Sequence, residues 1–194
     1  MWSRPLPNFF IKKQIALLGF LGLMLWSFFG VAQTQTFTTP NPQIQKFTVP
    51  AGVTKITVEV WGGGGRGGSR NGSNGAAAGG GGGAYSRSEL PVTPGQIIDY
   101  YVGFGAQTTV AGEDSWFLDT TTVMAKGGNS APDNSLVGAL GGAAVNGFGT
   151  DKFSGGRGAD ISSGNGGGGG SSAGIAANGN YTITTSTSTG ATAP

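Results

Sequence analysis

Acidic side chains are the residues of this chain most able to do chemistry, because the sequence contains no histidine and no cysteine. Glu113 and Asp114 are adjacent, and Asp119 follows closely. Such carboxylates could act as an acid pair for hydrolysis or as metal ligands, but hydrolysis needs two carboxylates held a defined distance apart in a cleft. Adjacent residues at the start of a strand usually point apart. We therefore interpret this stretch as a turn with solvated charges and expect no catalytic residue.

Metal and cofactor motifs are weak in this sequence. Without histidine and cysteine the chain lacks the commonest general base, the Ser-His and Cys-His pairs and the usual zinc ligands. Residues 155–160 match the first six places of the calcium-binding β-roll nonapeptide, which makes Asp160 a weak metal candidate. However, Ile161 lies one place too early, and no second copy follows to stack on the first. No Gly-Lys-Ser or Gly-Lys-Thr follows a glycine run, so a phosphate loop is not indicated either. We expect no metal and no cofactor.

Three aromatic residues are the candidate ligand-binding residues, namely Trp61, Tyr100 and Tyr101. Aromatic side chains lie more often in a core than on a ligand platform. Tyr100 and Tyr101 are consecutive, however, so a regular strand directs them to opposite faces. One of the two should then be exposed or covered by a glycine-rich lobe. An exposed tyrosine beside such a lobe could bind sugars or another surface.

Alternating apolar residues predict the strands that must position these side chains. The strongest strand is residues 53–61, in which Ile56, Val58 and Val60 alternate with polar positions before Trp61. Residues 44–49 predict a strand that forms a β-hairpin with it or lies beside it. Further strands are predicted at residues 84–90 and 96–102, and a hairpin at residues 115–118 and 121–125. The fold class is therefore mainly β.

Two glycine-rich stretches, residues 62–83 and residues 127–174, interrupt the strands. The chain has 40 glycines, which cost backbone entropy on folding and add no side chain to a core. Each stretch is either a mobile loop or a set of extended threefold segments of the polyproline-II type, that is, polyglycine-II-like packing. The sequence leaves both alternatives open.

The first 32 residues have the features of a signal peptide. Residues 1–13 carry Arg4, Lys12 and Lys13, an apolar stretch follows, and small residues precede a cleavage site between Ala32 and Gln33. The alternative is an uncleaved signal helix that anchors the chain, because 18 apolar residues reach the lower limit for spanning a bilayer. We expect export to the cell surface or medium, with membrane contact only through this leader if it stays uncleaved.

The remaining chain divides into three parts. Residues 33–43 predict an extended segment, residues 44–180 a glycine-rich β domain, and residues 181–194 a polar tail rich in threonine and serine. Removing Arg4, Lys12 and Lys13 leaves eight of the eleven basic residues against nine acidic ones, a net charge of −1. Nucleic-acid binding normally needs a basic stripe, so we expect no nucleic-acid partner.

The ordered set of motifs between residues 44 and 174 resembles the glycine-rich domain of secreted bacterial surface proteins, often of Bacteroidetes, and of phage tail-fibre or adhesin proteins. The motifs are the strand and glycine run at 47–65, Gly-Ala-Tyr ending at 85, Val-Thr-Pro-Gly-Gln at 92–96, Tyr-Val-Gly at 101–103, Gly-Glu-Asp-Ser-Trp-Phe at 112–117 and Ala-Lys-Gly-Gly at 125–128. The resemblance implies a β-sandwich-like framework that carries glycine-rich loops and has no catalytic residues. The sequence departs from the family's pattern at residues 181–194, where an apolar strand would be expected.

The resemblance and the composition together predict a secreted, non-catalytic domain of the surface or adhesion type. It would bind glycans or cell-surface and matrix components through the glycine lobes and nearby aromatics. The alternative is a structural spacer or assembly module of a larger exported cell-envelope or matrix protein. Ice or crystal-surface binding is less favoured, because the glycine tracts lack regular Gly-x-x triplets.

Overall fold

The computed structural model describes residues 33–72, 75–161, 166–181 and 191–194. The proposed signal helix, including Ala32, lies outside the described residues, as does most of the polar tail. The chain divides into two compact units, Met1–Thr36 and Phe37–Pro194. Of the first unit only residues 33–36 are described, and they are exposed and irregular. No helix within the described ranges is long and apolar enough to cross a membrane.

The second unit is mainly β, as the sequence predicts. Its seven strands are β1 Gln45–Thr48, β2 Lys55–Trp61, β3 Tyr85–Pro91, β4 Ile97–Tyr101, β5 Ser115–Phe117, β6 Val123–Ala125 and β7 Asp151–Phe153. Helical structure among the described residues is limited to one 3-10 turn, Ala144–Asn146. The predictions for β1 to β6 are confirmed within a few residues. Strand β7 lies inside the second glycine stretch and was not predicted.

The strands form two antiparallel sheets. One sheet has the order β1-β4-β5-β6 and the other the order β2-β3-β7. Both sheets contribute to one apolar cluster, in which Val58 of β2 meets Ile98 and Tyr100 of β4 and Phe117 of β5. Strand β2 also contacts β5 and β6 of the other sheet. Two sheets sharing one core give a sandwich-like framework.

The predicted pairing of the first two strands is wrong. Strand β1 pairs with β4, with Gln45 opposite Tyr100, whereas β2 pairs with β3 along its whole length. Val49 directly follows β1 and is held by backbone hydrogen bonds with Gln96 and Gly95. The chain then turns and enters the other sheet. Val49 and Val58 thus meet across the core, which buries both apolar strand faces against each other rather than leaving them side by side.

The glycine tracts are packed against one another. Residues 78–84 form a central segment, and its glycines are buried. Five other segments share backbone hydrogen bonds with it, namely residues 62–68, 126–131, 136–142, 155–161 and 166–173. We call this arrangement the glycine bundle. Of the two alternatives left open by the sequence, the described residues adopt the packed one.

The hydrogen bonds of the central segment repeat every three residues. Its carbonyls at Ala78, Gly81 and Ala84 accept from segment 62–68, and those at Gly79 and Gly82 accept from segment 136–142. Those at Gly80 and Gly83, like the carbonyl of the preceding Ala77, accept from segment 166–173. Its N–H groups at Gly81 and Ala84 donate to segment 126–131, and those at Gly79 and Gly82 donate to segment 155–161. A period of three is that of polyproline-II geometry, in which every third residue returns to the same side.

Close backbone approach explains why the central residues are glycines. A Cβ atom on Gly82 would lie 1.9 Å from the carbonyl oxygen of Ser171, and one on Gly83 would lie 1.9 Å from that of Gly62. Neither glycine has a positive φ, so the requirement is for space and not for an unusual backbone conformation. The neighbouring segments can pack this closely only without side chains between them.

Candidate functional site

A shallow depression of about 450 Å³ lies where β4, β5 and the loop before β5 meet. Strand β4 contributes Tyr101 and strand β5 contributes Trp116. The other lining residues belong to residues 110–114, to Thr120 in the turn after β5 and to Lys126 after β6. The depression therefore combines two aromatic rings with charged groups of both signs.

The two aromatic rings lie side by side because their strands are in register. Tyr101 of β4 stands directly opposite Trp116 of β5. Their ring centroids are 6.1 Å apart and the ring planes differ by 20°. Both residues are half-buried, so part of each side chain stays accessible. The two rings are stacked and together line one part of the depression.

The two carboxylates of the depression have separate partners. The Tyr101 hydroxyl and the Phe104 N–H both donate to Glu113 Oε2, the second at 3.2 Å. Asp114 pairs with Lys126 through Nζ and Oδ2 at 2.5 Å and accepts from the Gly127 N–H at 2.9 Å. The hydrogen bond from Tyr101 to Glu113 is the main reason why the pKa of the Tyr101 phenol is raised. The acceptors of the depression are thus held in fixed positions at its rim.

The glycine bundle fixes the loop that carries these carboxylates. The Gly63 N–H donates to the Glu113 carbonyl at 2.8 Å, and the Gly112 N–H donates to the Gly128 carbonyl at 2.8 Å. A Cβ on Gly112 would lie only 2.3 Å from the Gly63 carbonyl oxygen. The bundle therefore holds one wall of the depression by direct backbone contact.

Tyr100 and Tyr101 point to opposite faces of β4, as their adjacency predicts. Tyr100 lies in the core, where its ring stacks on Phe117 and its hydroxyl donates to Gln45 Oε1 at 3.2 Å. Tyr101 is the member of the pair that lines the depression. The structure therefore separates these two candidate residues by one sheet.

Trp61 lies at the end of β2, in the sheet that does not carry Tyr101. Its side chain is 41% exposed, and its indole Nε1 donates to the Ala173 carbonyl at 3.0 Å. Its ring contacts Tyr85 at a centroid distance of 4.9 Å. Trp61 thus connects β2 to segment 166–173 of the glycine bundle and is not among the residues lining the depression.

The remaining sequence candidates lie elsewhere. Asp160 is on segment 155–161, where it accepts from Arg157 at 2.5 Å and from the Gly138 N–H at 2.7 Å, and both donors hold the pKa of its carboxyl below the usual range. Asp119 caps the turn after β5 by accepting from Thr121 and Thr122. In the part of the chain that is described, no group of three or more acidic residues could hold a metal ion. Gln33 is exposed in the first unit.

Sequence reasoning missed the role of two lining residues. Neither Trp116 nor Lys126 is among the candidate residues that the sequence indicates. The register of β4 against β5 brings Trp116 to Tyr101, and the pairing of β5 with β6 brings Lys126 close to Asp114. The hairpin predicted at residues 115–118 and 121–125 already indicates that Asp114 and Lys126 are close, because the two ends of a hairpin lie side by side.

One comparison with known proteins gives a match. A family described as "Glycine-rich domain" matches residues 38–193, which covers both sheets and the glycine bundle. No curated protein and no solved structure matches the chain.

Proposed function

The chain belongs to the glycine-rich domain family. We propose that it is an exported, non-catalytic domain of the surface or adhesion type that binds a glycan in the depression between Tyr101 and Trp116. Export rests on the leader in residues 1–32, whose apolar stretch and small-residue cleavage site are those of a signal peptide. The family context of bacterial surface and phage adhesin proteins, which the motifs resemble, favours the same role.

The observation that carries this proposal is the aromatic surface bordered by fixed polar groups. A pyranose ring presents a face of C–H groups and a rim of hydroxyls. A site that binds it therefore packs an aromatic ring against the C–H face and places hydrogen-bond donors and acceptors near the hydroxyls. Tyr101 and Trp116 provide the aromatic rings, while Glu113, Asp114 and Lys126 provide the polar groups beside them. Ligand sites are typically concave and aromatic with a few convergent polar groups, and this depression has that composition.

The same partners favour binding over hydrolysis. The Asp114 carboxylate is neutralised by Lys126, and Glu113 already accepts two hydrogen bonds. A general acid for glycoside hydrolysis needs a carboxyl group whose pKa is raised by an apolar or like-charged environment. Asp114 instead lies beside the oppositely charged ammonium group of Lys126. The carboxylates of this depression are therefore suited to accept hydrogen bonds from sugar hydroxyls.

A glycan array with the purified protein tests the proposal. We expect saturable binding to a limited set of glycans, and we expect Trp116→Ala to weaken it about tenfold or more, as truncation of a central aromatic anchor does. Tyr181→Ala is the matched control, because Tyr181 is an aromatic that is 64% exposed and does not line the depression. Binding that is equal in both variants, or no binding to any glycan on the array, would contradict the proposal.

Exposed apolar side chains on the bundle favour an assembly module as the second candidate. Val137 and Leu140 lie three residues apart on segment 136–142, so they share one side of it, and they are 60% and 62% exposed. On this alternative the domain self-associates through that side. Sedimentation would then show oligomers that dissociate in Leu140→Ser, whereas the glycan-binding proposal requires no such change.

A further inference from the structure

The central segment of the glycine bundle has one set of backbone donors without acceptors. All three sets of its carbonyls accept hydrogen bonds, and two of its three sets of N–H groups donate them. The third set contains Gly80 and Gly83, which are buried, and no described residue accepts from either N–H group. Buried backbone donors are nearly always paired in native proteins. These two therefore indicate a place where an acceptor belongs.

These donors face the space between segments 62–68 and 166–173. A Cβ on Gly67 would lie 3.8 Å from the Gly80 nitrogen, which places that N–H beside segment 62–68. Trp61, which directly precedes this segment, donates to Ala173, and Ala173 in turn donates to the Gly83 carbonyl at 3.0 Å. The space is thus bounded by one segment on each side and by the Trp61 indole at one end. We call it the bundle groove.

The walls of the bundle groove carry glycines that the packing does not require. These glycines are Gly64, Gly67, Gly166 and Gly169. A Cβ atom added to any of them would have its nearest contact with a described residue at 3.3 to 4.0 Å, in each case with an atom of the central segment or of Ala77. Their neighbours in the same segments differ, since a Cβ on Gly65 would lie 1.9 Å from a carbonyl oxygen. None of the four has a positive φ. Neither close packing against the described residues nor backbone conformation therefore explains the absence of a side chain at these four places.

An occupant of the groove explains both observations. Gly64 and Gly67 are three residues apart, as are Gly166 and Gly169, so each pair shares one side of a threefold segment. Glycine at these four places keeps the walls free of side chains there. A further backbone segment could lie against residues 78–84 only if the walls beside it carry no side chains and the central segment has N–H groups without acceptors. Both conditions are met here.

We propose that the bundle groove binds an extended, glycine-rich peptide segment of a partner polypeptide, which becomes the sixth segment around residues 78–84. Its carbonyls, repeating about every 9 Å in threefold geometry, would accept from Gly80 and Gly83. Its N–H groups would donate to the Gly65 and Gly170 carbonyls, to which no described residue donates. Gly170 is three residues before Ala173, whose carbonyl accepts from Trp61, so both carbonyls face the groove.

The hydrogen-bond pattern restricts the chemistry of the partner. Proline has no N–H to donate to the walls, so a proline-rich segment of the same extended shape does not fit. Side chains on the occupant are acceptable only at every third residue, where they point out of the groove. The chain's own long glycine runs, residues 62–65, 79–83 and 166–170, already lie in the bundle. A second copy would have to unfold its bundle to supply the segment, which favours a different polypeptide.

The test is a titration of the ¹⁵N-labelled protein followed by amide resonances. The probe is a synthetic peptide of Gly-Gly-Ser repeats, and the control is a peptide of Gly-Pro-Pro repeats of equal length. We expect the Gly80 and Gly83 amide resonances to shift saturably with the probe and not with the control. The amides of Gly81 and Gly82, which already have acceptors, should shift much less.

Variants of the walls separate groove binding from binding elsewhere. Gly64→Val and Gly169→Val place a branched side chain in the groove and should weaken binding at least tenfold. Asn129→Val is the matched control, because Asn129 is exposed and lies on segment 126–131 away from the groove, and it should bind as the parent does. If Gly64→Val does not fold, Gly64→Ala takes its place, since its Cβ has 4.0 Å of space. No saturable shift, equal shifts with the proline control, or undiminished binding by the wall variants would each overturn the proposal.

The same spectra contain an independent check that needs no peptide. In the free protein, the Gly80 and Gly83 amides should exchange with solvent faster than those of Gly81 and Gly82, which have acceptors. Equal protection of all four would show that the donors are already paired and would also overturn the proposal. Glycan binding at Tyr101 and Trp116 does not depend on this outcome, because that depression has different lining residues.

Discussion

Replacement of Gly82 by alanine is expected to destabilise the fold strongly, although alanine is the smallest possible addition. The new Cβ would lie 1.9 Å from the Ser171 carbonyl oxygen, whereas ordinary contacts begin near 3.4 Å. Segment 166–173 would have to move away from the central segment by about 1.5 Å. Backbone atoms cannot rotate aside as the end of a flexible side chain can, so this movement is unavoidable.

The size of the effect follows from the bonds that this movement breaks. Two hydrogen bonds join segment 166–173 to the central segment near this point, from Gly170 to Gly80 at 2.9 Å and from Ala173 to Gly83 at 3.0 Å. Lengthening either bond by about 1.5 Å leaves it outside hydrogen-bond range. An unpaired buried group costs about 1 to 3 kcal/mol, so counting one such group for each of the two broken bonds we expect a loss of about 2 to 6 kcal/mol. Such a loss is a large part of the roughly 5 to 15 kcal/mol that stabilises a typical domain.

Gly64→Ala is the matched control within another segment of the bundle. Its Cβ would have 4.0 Å of space and its φ is not positive, so the folded state accepts it. Alanine also restricts the unfolded chain, which stabilises a compatible site by about 0.4 to 1 kcal/mol. Urea unfolding followed by tryptophan fluorescence measures both variants as shifts of the midpoint. Unfolding free energies that differ by less than about 0.5 kcal/mol between the two variants would refute the packed-bundle argument.

Two further predictions concern residues at the junction of β2 and β3. Trp61→Phe removes the indole N–H and leaves the Ala173 carbonyl without its donor. It should therefore cost about 1 kcal/mol and speed amide exchange in segment 166–173, which hydrogen-exchange NMR measures, while leaving β4 and β5 unchanged. For Tyr85, burial and then the hydrogen bond to Glu59 raise the pKa of the phenol to about 12. Because the unfolded pKa is about 10, this residue's contribution to stability is complete below pH of about 10 and is lost as the pH rises towards about 12. Absorbance titration should show one phenolate that forms about two pH units above the ordinary tyrosine pKa of about 10. A Tyr85→Phe variant that still shows this step would contradict its assignment to Tyr85.

The strands could be predicted from the sequence because their side chains alternate. Ile56, Val58 and Val60 define β2, and the apolar residues around Tyr100 define β4, so period two reveals both strands. The pairing of β1 with β2 could not be obtained in this way. Alternation shows which face of a strand is apolar, but not whether its neighbour lies beside it or across the core.

The glycine bundle was beyond sequence prediction for a different physical reason. Glycine runs have no side-chain period, so residues 79–83 and 166–170 carry no signal that distinguishes a loop from a packed segment. Their arrangement depends on which backbone groups find partners, and these partners are distant in sequence. Strand β7 was missed because it is three residues long and lies between two glycine runs.

The candidate site was only partly predictable. The adjacency of Tyr100 and Tyr101 correctly indicated that the two residues face opposite ways. The contribution of Trp116 required the register of β4 against β5, which sequence patterns do not specify. Trp61 has the exposure expected of a binding residue, but its hydrogen bond to Ala173 places it at the bundle groove.

Hydrogen exchange of the glycine amides tests the account most directly, because the packed bundle supports both proposed sites. We expect the amides of Gly79, Gly81 and Gly82 to be protected nearly as well as those of β2 and β3, since all three donate to neighbouring segments. Exchange of these three amides at the rate of an unstructured chain, with β2 and β3 still protected, would contradict the account. The tracts would then be mobile loops on a small β core.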